Sequence, residues 1–503
     1  MFSPVLNGLA GLFLIKRQNE WKKYERDPLV LQHKQFQYLL ERGKQTVYGR
    51  QSGLTQVESY EDFRRIVPLT DYAGLQSYIE RMMEGEENVL WPGSVHYFAK
   101  SSGTTSSRNK YIPVTPEILE NCHFRGGKDM LMLYLQNYPD SKLLSGKVIK
   151  LGGSVQTTTQ GSIVGDLSGI MIDLLPFWAE MRSIPDEETA LIPAWEEKLD
   201  KIVRIASQQD IRGFLGIPSW YLILLKQILD FTGKKNLLEL WPRLEVFFHG
   251  GIRFEPYKKQ FERLIGKPLR YMNIYNASEG FFGLQDRKDN PDFALTIDYD
   301  IFYEFIPMEH FRELNSTEVI PLAEVKTGAN YAMVISSSSG LWRYIIGDTI
   351  RFTSMRPYRF QLTGRTKYYL NIVGEEVIQD NAEKALAKAA AKHGVEIIDY
   401  TVAPVFPDAN GPGYHEWMIE FVQNPSDPES FAADLDAFLR QINSDYDTKR
   451  HGNISLKPLK LNLARPGLFY DWLKKKGKLG GQHKVPRLLD NRKVLEELLE
   501  MNV

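Results

Sequence analysis

Apolar and polar positions change rhythm along this chain. Through about the first 90 residues apolar positions recur at helical spacing, and the pattern predicts helices over Trp21–Lys44, Tyr60–Val67 and Thr70–Glu84, with polar breaks between them. Beyond that point short apolar runs alternate with helical stretches, which argues for parallel βαβ units. Four of the runs end at glycine-containing turns. Lys147–Leu151 leads into Gly152-Gly153-Ser154, and Ile211–Leu215 into Gly216-Ile217-Pro218-Ser219. Leu244–Phe248 leads into His249-Gly250-Gly251, and Leu269–Tyr275 into Asn276-Ala277-Ser278-Glu279-Gly280. Helical patterns follow the second and third, over Trp220–Asp230 and Pro256–Ile265. If the strands are parallel, all four turns share the carboxyl edge of one sheet, the edge on which open α/β sheets bind ligands.

Between Tyr331 and Leu362 the runs shorten to Tyr331–Ile335, Leu341–Ile346, Thr349–Thr353 and Tyr358–Leu362. They leave no room for crossover helices, so this section reads as antiparallel and barrel-like. Gly364-Arg365-Thr366-Lys367 follows, and then a new unit. Its elements are a helix from Glu375 to Lys392 stopped by Gly394, strands Val395–Val402 and Glu416–Val422, helix Pro428–Ile442 and strand Ile454–Leu461. The fold class is therefore α/β. A large N-terminal domain over residues 1–363, with mostly parallel sheets and a small β-barrel-like section, joins at residues 364–367 to a small α+β domain over 368–503.

Composition narrows the function. With 43% hydrophobic and 25% charged residues among 503, the chain is neither disordered nor fibrous. Lys and Arg number 62 against 63 Asp and Glu, leaving a formal charge of −1 and no global pull toward nucleic acid or an anionic membrane. One cysteine, Cys122, allows no internal disulfide and no cysteine-based zinc site, and a cytoplasmic location fits best. The apolar stretch Leu6–Ile15 is too short to span a bilayer and is interrupted by Asn7 and Gly8. It has no basic residue before it and no cleavage signal after it, so it reads as a packed N-terminal helix. No HExxH, GxSxG or GxGxxG arrangement occurs, which removes zincin, α/β-hydrolase and Rossmann dehydrogenase readings.

Four segments could carry chemistry. Ser101-Ser102-Gly103-Thr104-Thr105-Ser106-Ser107-Arg108-Asn109-Lys110 lies between strand-like segments, with Thr115 as N-cap and Pro116 as first residue of the next helix. Its hydroxyls, backbone N–H groups and terminal cations form a cradle for polyphosphate, although alone it also reads as a surface loop. Tyr275-Asn276-Ala277-Ser278-Glu279 puts a carboxylate at a strand's carboxyl end, able to take magnesium already bound to phosphate. Trp342-Arg343-Tyr344-Ile345-Ile346-Gly347-Asp348 places Asp348 in a tight turn between two β segments, where a carboxylate could accept a ribose diol or simply serve the turn. Gly480-Gly481-Gln482-His483-Lys484-Val485-Pro486-Arg487 holds Lys484 between glycines and a proline.

In order and content these segments resemble the acyl-adenylate-forming superfamily, and more closely its acyl-acid amido synthetase branch, the auxin-responsive Gretchen Hagen family of plants and its bacterial relatives. The resemblance runs from about Tyr97 to Arg487. It implies ATP and Mg²⁺, with the phosphates on Ser101, Ser102, Gly103, Thr104 and Thr105. It adds Gly250, Gly251, Tyr275, Asn276, Ala277 and Ser278 around the nucleotide, with Ser278 on the α-phosphate. Glu279 would hold the metal, Asp348 with Arg365 the ribose, and Lys484 would be the catalytic lysine. Gly364–Lys367 is similar to the superfamily's hinge, with Lys367 the pivot of a mobile small domain.

The implied reaction turns a carboxylic acid into an acyl-adenylate plus pyrophosphate, then passes the acyl group to an amine, usually an amino acid. The implied partners are thus small molecules, with no nucleic acid or membrane, and the chain would be a monomer or weak homodimer. Ser107 stands where the family's loop has a second glycine, and Trp342 where its third segment opens with tyrosine; neither removes a group the chemistry needs. The alternatives are an acid–thiol ligase using the same adenylate and an inactive nucleotide-binding homologue. For the acyl pocket the candidates are the helix after Thr115, Leu174–Trp178 and Pro218–Tyr221, all equally readable as core.

Overall fold

Proline sets the first boundary. The single helix expected over Trp21–Lys44 is two, Lys23–Arg26 and Pro28–Gly43, because Pro28 lacks an N–H and is tolerated only in a first turn. Helices Tyr60–Ile66 and Tyr72–Met83 follow, capped by the Ser59 and Asp71 side chains. The structure is a computed structural model that describes residues 17–101, 110–251, 254, 257–366, 369–370, 372–373, 375, 377–407, 412–450, 456–479 and 484–502. It divides into two units. The first comprises Met1–Ile252, Ile265–Ile346 and Ile350–Gln361; the second comprises Arg253–Leu264, Gly347–Thr349 and Leu362–Val503.

The first unit is built on a twelve-stranded sheet. Its parallel half contains β3 (Lys147–Lys150), β6 (Ser183–Ile184), β7 (Ile211–Gly216), β8 (Val246–Gly250) and β9 (Arg270–Ala277). β6, β3, β7, β8 and β9 lie side by side, each pair parallel, so the four glycine-containing turns do share one carboxyl edge. β7 rises as Ile-Arg-Gly-Phe-Leu-Gly, buried on both faces over its first four residues, as a strand covered by helices must be.

A smaller sheet in the order β2-β1-β5-β4 carries β1 (Tyr97–Ser101), β2 (Lys110–Val114), β4 (Val155–Thr157) and β5 (Ile163–Gly165). The large sheet continues from β9 into β10 (Gly280–Arg287) and β11 (Asn290–Leu295), both antiparallel to their neighbours. β12 (Ile301–Pro307), β13 (Ile320–Pro321), β14 (Asn330–Ser337), β15 (Tyr344–Met355) and β16 (Tyr358–Arg365) complete it. The section expected to be barrel-like is thus antiparallel and extends the parallel sheet.

Two of the short strands expected there are one. β15 runs unbroken for twelve residues through Gly347 and Asp348, so Asp348 lies within a strand and not in a hairpin turn. Gly347 takes φ +87°, a left-handed conformation inside an extended segment that only glycine adopts cheaply. The pattern looked like a turn for that reason.

The second unit packs helices Gln379–His393 and Pro428–Ile442 against β19 (Ile397–Val405), β20 (Tyr414–Phe421) and β21 (Lys460–Leu463), with β17 (Tyr369–Leu370) paired to β18 (Val377–Ile378). Phe421, Phe431, Leu435, Leu386 and Trp417 form its core. The helix expected from Glu375 starts at Gln379. Glu375 is instead fully buried, accepting N–H bonds from Ile372 (2.7 Å) and Val373 (2.8 Å) and facing His415 Nε2 at 3.0 Å. Burial alone would raise this carboxyl's pKa, and the bonds from His415 and the two backbone groups more than reverse that. The last strand begins at Lys460, later than the expected Ile454.

Candidate active site

The carboxyl edge is crowded by design of its glycines. A Cβ on Gly250 would lie 2.5 Å from the Ile274 carbonyl oxygen, so β8 and β9 can approach at their ends only because this residue has none. Gly251 then turns with φ +81°. At the β3 end the turn is held from below by Lys198, a buried lysine whose Nζ donates to the carbonyls of Gly152 (3.0 Å) and Gly153 (3.3 Å). Burial pulls its pKa down to about 8, and nearby Asp166, itself pushed up to about 6 by burial, holds the ammonium charged. Nothing in the sequence around Lys198 marked it.

At the β9 end, Ala277 pairs with Gly280, which makes Ser278-Glu279 a two-residue hairpin turn. The ring of Tyr275 points into an aromatic cluster with Phe282, Phe293 and Phe360 at 5.1, 6.0 and 6.1 Å. Asn276 meets His123 Nδ1 through its Oδ1 at 2.9 Å. Ser278 is buried and its Oγ has no hydrogen-bond partner among the described residues, while Glu279 is half-buried beside it. An unanswered hydroxyl next to a carboxylate, at the end of a parallel strand, suits an α-phosphate and its metal. Among the described residues no group of three or more His, Cys, Asp or Glu side chains could hold a metal by themselves. One carboxylate completed by phosphate oxygens is the usual arrangement for magnesium.

The hydroxyl-rich segment is the tip of the β1–β2 hairpin. The strands pair antiparallel up to Ser101 opposite Lys110, so the loop's two ends are fixed. Ser102, Gly103, Thr104 and Thr105 lie outside the described residues. Beyond β2, Thr115 caps the next helix by accepting from Ile118 N–H, with Pro116 in its first turn, and its hydroxyl donates to the Ser338 carbonyl at 2.9 Å.

The third segment separates into structural and candidate chemical residues. Trp342 is core: 1% exposed, it donates its indole N–H to Leu90 O. Arg343 forms a two-pronged buried ion pair with Glu304 (2.9 and 3.0 Å) and donates to Arg64 O and Val67 O. Asp348 is joined to Arg365 Nε at 3.0 Å, so the structure brings together the two residues expected at the ribose.

In the second unit Lys484 is exposed, yet the protein around it, first, and the Arg365 guanidinium, second, bring its pKa down to about 8; Asp348 works in the opposite direction. Water at the exposed side chain offsets part of that desolvation. Lys484 is the first described residue of a firmly seated segment. Thr401 Oγ1 donates to Pro486 O (2.6 Å), Val402 N–H to Arg487 O, and Leu489 N–H to Val402 O (both 2.9 Å). The Arg487 guanidinium pairs with Asp399, donates to Tyr257 Oη (2.7 Å) and lies over the Tyr400 ring. Gly480 to His483 and the expected pivot Lys367 lie outside the described residues. Of the acyl-pocket candidates, Trp220 and Tyr221 are buried, with Tyr221 Oη donating to Ile149 O, whereas Phe177 is 73% exposed.

Family models match the chain in three consecutive blocks: the GH3 family N-terminal domain over residues 17–269, the central domain over 294–365 and the C-terminal domain over 380–493. The chain belongs to the GH3 family. Among its curated GH3 relatives is the indole-3-acetic acid-amido synthetase GH3.4 of Arabidopsis thaliana, 24% identical, with 94% of this chain and 91% of the relative covered. Another is the jasmonoyl–L-amino acid synthetase GH3.5 of Oryza sativa subsp. japonica, 25% identical over 96% of each. The fold is similar to the solved structure of the AtGH3.15 acyl acid amido synthetase in complex with 2,4-DB, with a TM-score of 0.80, 20% identity, and 100% of this chain and 97% of that one covered. A fold likeness extends to 2-hydroxyisobutyryl-CoA ligase in the postadenylation state, with a TM-score of 0.62, 13% identity, and coverage of 95% and 93%. The GH3 fold, a large sheet domain followed by a smaller α+β domain, is thus the fold of this chain. Among the described residues no helix is long and apolar enough to cross a membrane.

Proposed function

We propose that this GH3 protein is an ATP-dependent acyl-acid amido synthetase: it adenylates a carboxylic acid, releasing pyrophosphate, and transfers the acyl group to an amine, an amino acid in the first instance. The observation that carries the reading is the Ser278-Glu279 turn, with an unanswered buried hydroxyl beside a half-buried carboxylate at the carboxyl edge of a parallel sheet, in a chain that matches all three GH3 domains in order.

A carboxylate acylates poorly because oxide would have to leave. A carboxylate oxygen attacks the α-phosphorus, the bond to pyrophosphate breaks, and AMP becomes the leaving group. Both reactants are anionic, so donors and cations held in advance do most of the catalysis. The hydroxyls and N–H groups of Ser101–Thr105 would take the β- and γ-phosphates, Ser278 the α-phosphate, and Asp348 with Arg365 the ribose. Gly250, Gly251, Tyr275, Asn276 and Ala277 contribute backbone to the nucleotide's surroundings, since the Tyr275 ring and Asn276 amide are committed within the protein. Magnesium, when bound by Glu279, neutralises phosphate charge. Lys484 would act on the carboxylate and α-phosphate; residues 364–367, with Lys367 as pivot, would let the small domain turn between the two half-reactions. The amine then attacks the acyl carbon, the carbon–oxygen bond to AMP breaks and the nitrogen gives up a proton.

An acid–thiol ligase shares the first step. The test is a panel of carboxylic acids scored by ATP–pyrophosphate exchange, with the active acids then offered each amino acid or coenzyme A. Amide with AMP supports the reading; a thioester and no amide refutes it.

A further inference from the structure

The helix that begins at Pro116 contains one irregular turn. Residues Leu119–Phe124 form a π-helical turn, inside an otherwise α-helical run that resumes at Arg125 and continues to Asn137. A π turn admits one extra residue and re-aims the side chains around it; such turns recur at functional sites. Here the re-aimed pair is Cys122 and His123, both fully buried. Cys122 Sγ accepts the backbone N–H of Phe281 at 3.1 Å. His123 Nδ1 meets Asn276 Oδ1 at 2.9 Å. Two adjacent residues therefore grip the β9–β10 hairpin on either side of its turn, one on β9 before Ser278-Glu279 and one on β10 after it. Packing tightens the same grip: a Cβ on Gly126 would stand 2.3 Å from the Phe281 ring.

We infer that the Cys122–His123 π turn is a clamp that sets the Ser278-Glu279 turn for nucleotide binding, with His123 as its positioning residue. The inference rests on the reading of that turn as part of the ATP site. An amide oxygen can only accept, so His123 carries its proton on Nδ1, and its Nε2 is a buried lone pair with no partner among the described residues. Burial holds the ring neutral, with a pKa lowered to about 4, so the grip does not change through neutral pH. The other side of Asn276 is occupied as well, its Nδ2 lying 3.9 Å from Met171 Sδ, a weak acceptor that agrees with this orientation of the amide. Ser278 Oγ, between the two grips, has no hydrogen-bond partner among the described residues.

The test is calorimetric titration of MgATP into the full chain and three variants, with thermal midpoints recorded alongside. His123→Leu removes the donor, His123→Asn keeps an amide N–H close to the Nδ1 position, and Asn276→Leu removes the acceptor. Loss of one such bond weakens MgATP binding about five- to tenfold in His123→Leu and Asn276→Leu. His123→Asn stays within about twofold, and the double variant His123→Leu/Asn276→Leu is no weaker than the worse single one. The clamp is refuted if wild type binds MgATP and His123→Leu binds it equally well, or if His123→Asn is as weak as His123→Leu. Should His123→Leu fail to fold, Asn276→Leu and His123→Asn decide the matter in the same way. Wild type that binds no MgATP would instead remove the ATP-site reading, and the clamp's purpose with it.

Discussion

Arg343 belongs to the segment that carries Asp348, yet its geometry assigns it to stability. Its guanidinium, 3% exposed, meets both oxygens of Glu304, which is 1% exposed, and donates twice more to the carbonyls of Arg64 and Val67. Replacing it with methionine roughly keeps the volume and leaves the Glu304 carboxylate buried with, among the described residues, the Tyr60 hydroxyl at 3.0 Å to answer it. Breaking a buried pair from one side costs about 3–5 kcal/mol. For a unit of this size that is a fall in thermal midpoint on the order of 10 °C. Removing both charges, Arg343→Met with Glu304→Leu, recovers most of the loss, because no charge is then stranded. Scanning calorimetry reads the midpoints, and MgATP titration below the transition reads the site. The expected result is a destabilised Arg343→Met protein whose folded form binds MgATP like wild type. An unshifted midpoint, or lost MgATP affinity at unchanged stability, would refute the assignment.

Three further outcomes are expected. Lys484→Ala slows acid-dependent pyrophosphate release by roughly 10²–10³, the cost of one electrostatic transition-state contact, while MgATP affinity changes little. Because its surroundings lower the Lys484 pKa below that of an ordinary lysine, to about 8, wild-type adenylation should decline as pH rises beyond that value, and Lys484→Arg should move the decline to much higher pH; a wild-type profile flat to pH 10 would contradict the role. Gly153→Ala would set a Cβ 1.7 Å from Asp166 Oδ2, so urea unfolding should show a loss of about 1–3 kcal/mol, and no loss would mean the turn is looser than its geometry implies.

Four strands of the parallel half, β3, β7, β8 and β9, were legible because each is an apolar run leading into a glycine-containing turn; β6, two residues long and followed by Pro185, gave no such pattern. The helix over Pro428–Ile442 in the second unit was legible to the residue, since a proline is tolerated only in a helix's first turn. Asp348 was misplaced because Gly-Asp is ordinary turn chemistry, and only long-range pairing shows that β15 continues through it. His123 gave no signal at all: its partner Asn276 is 153 positions away, and a lone histidine on a helix reads as core. The helix Lys258–Ile265 reads as a crossover between β8 and β9, yet it lies largely in the second unit, where Gln260 donates to Ile397 O and Arg263 pairs with Glu396. Local periodicity carries no information about such contacts.

The central claim is that the acid's own oxygen passes to AMP. An acid accepted by the enzyme, labelled with ¹⁸O in its carboxylate, is turned over with MgATP and an amino acid, and the nucleotide is examined by mass spectrometry. The account predicts AMP carrying one ¹⁸O atom and an amide that has lost one. Unlabelled AMP, or ADP with the label in inorganic phosphate, would contradict it.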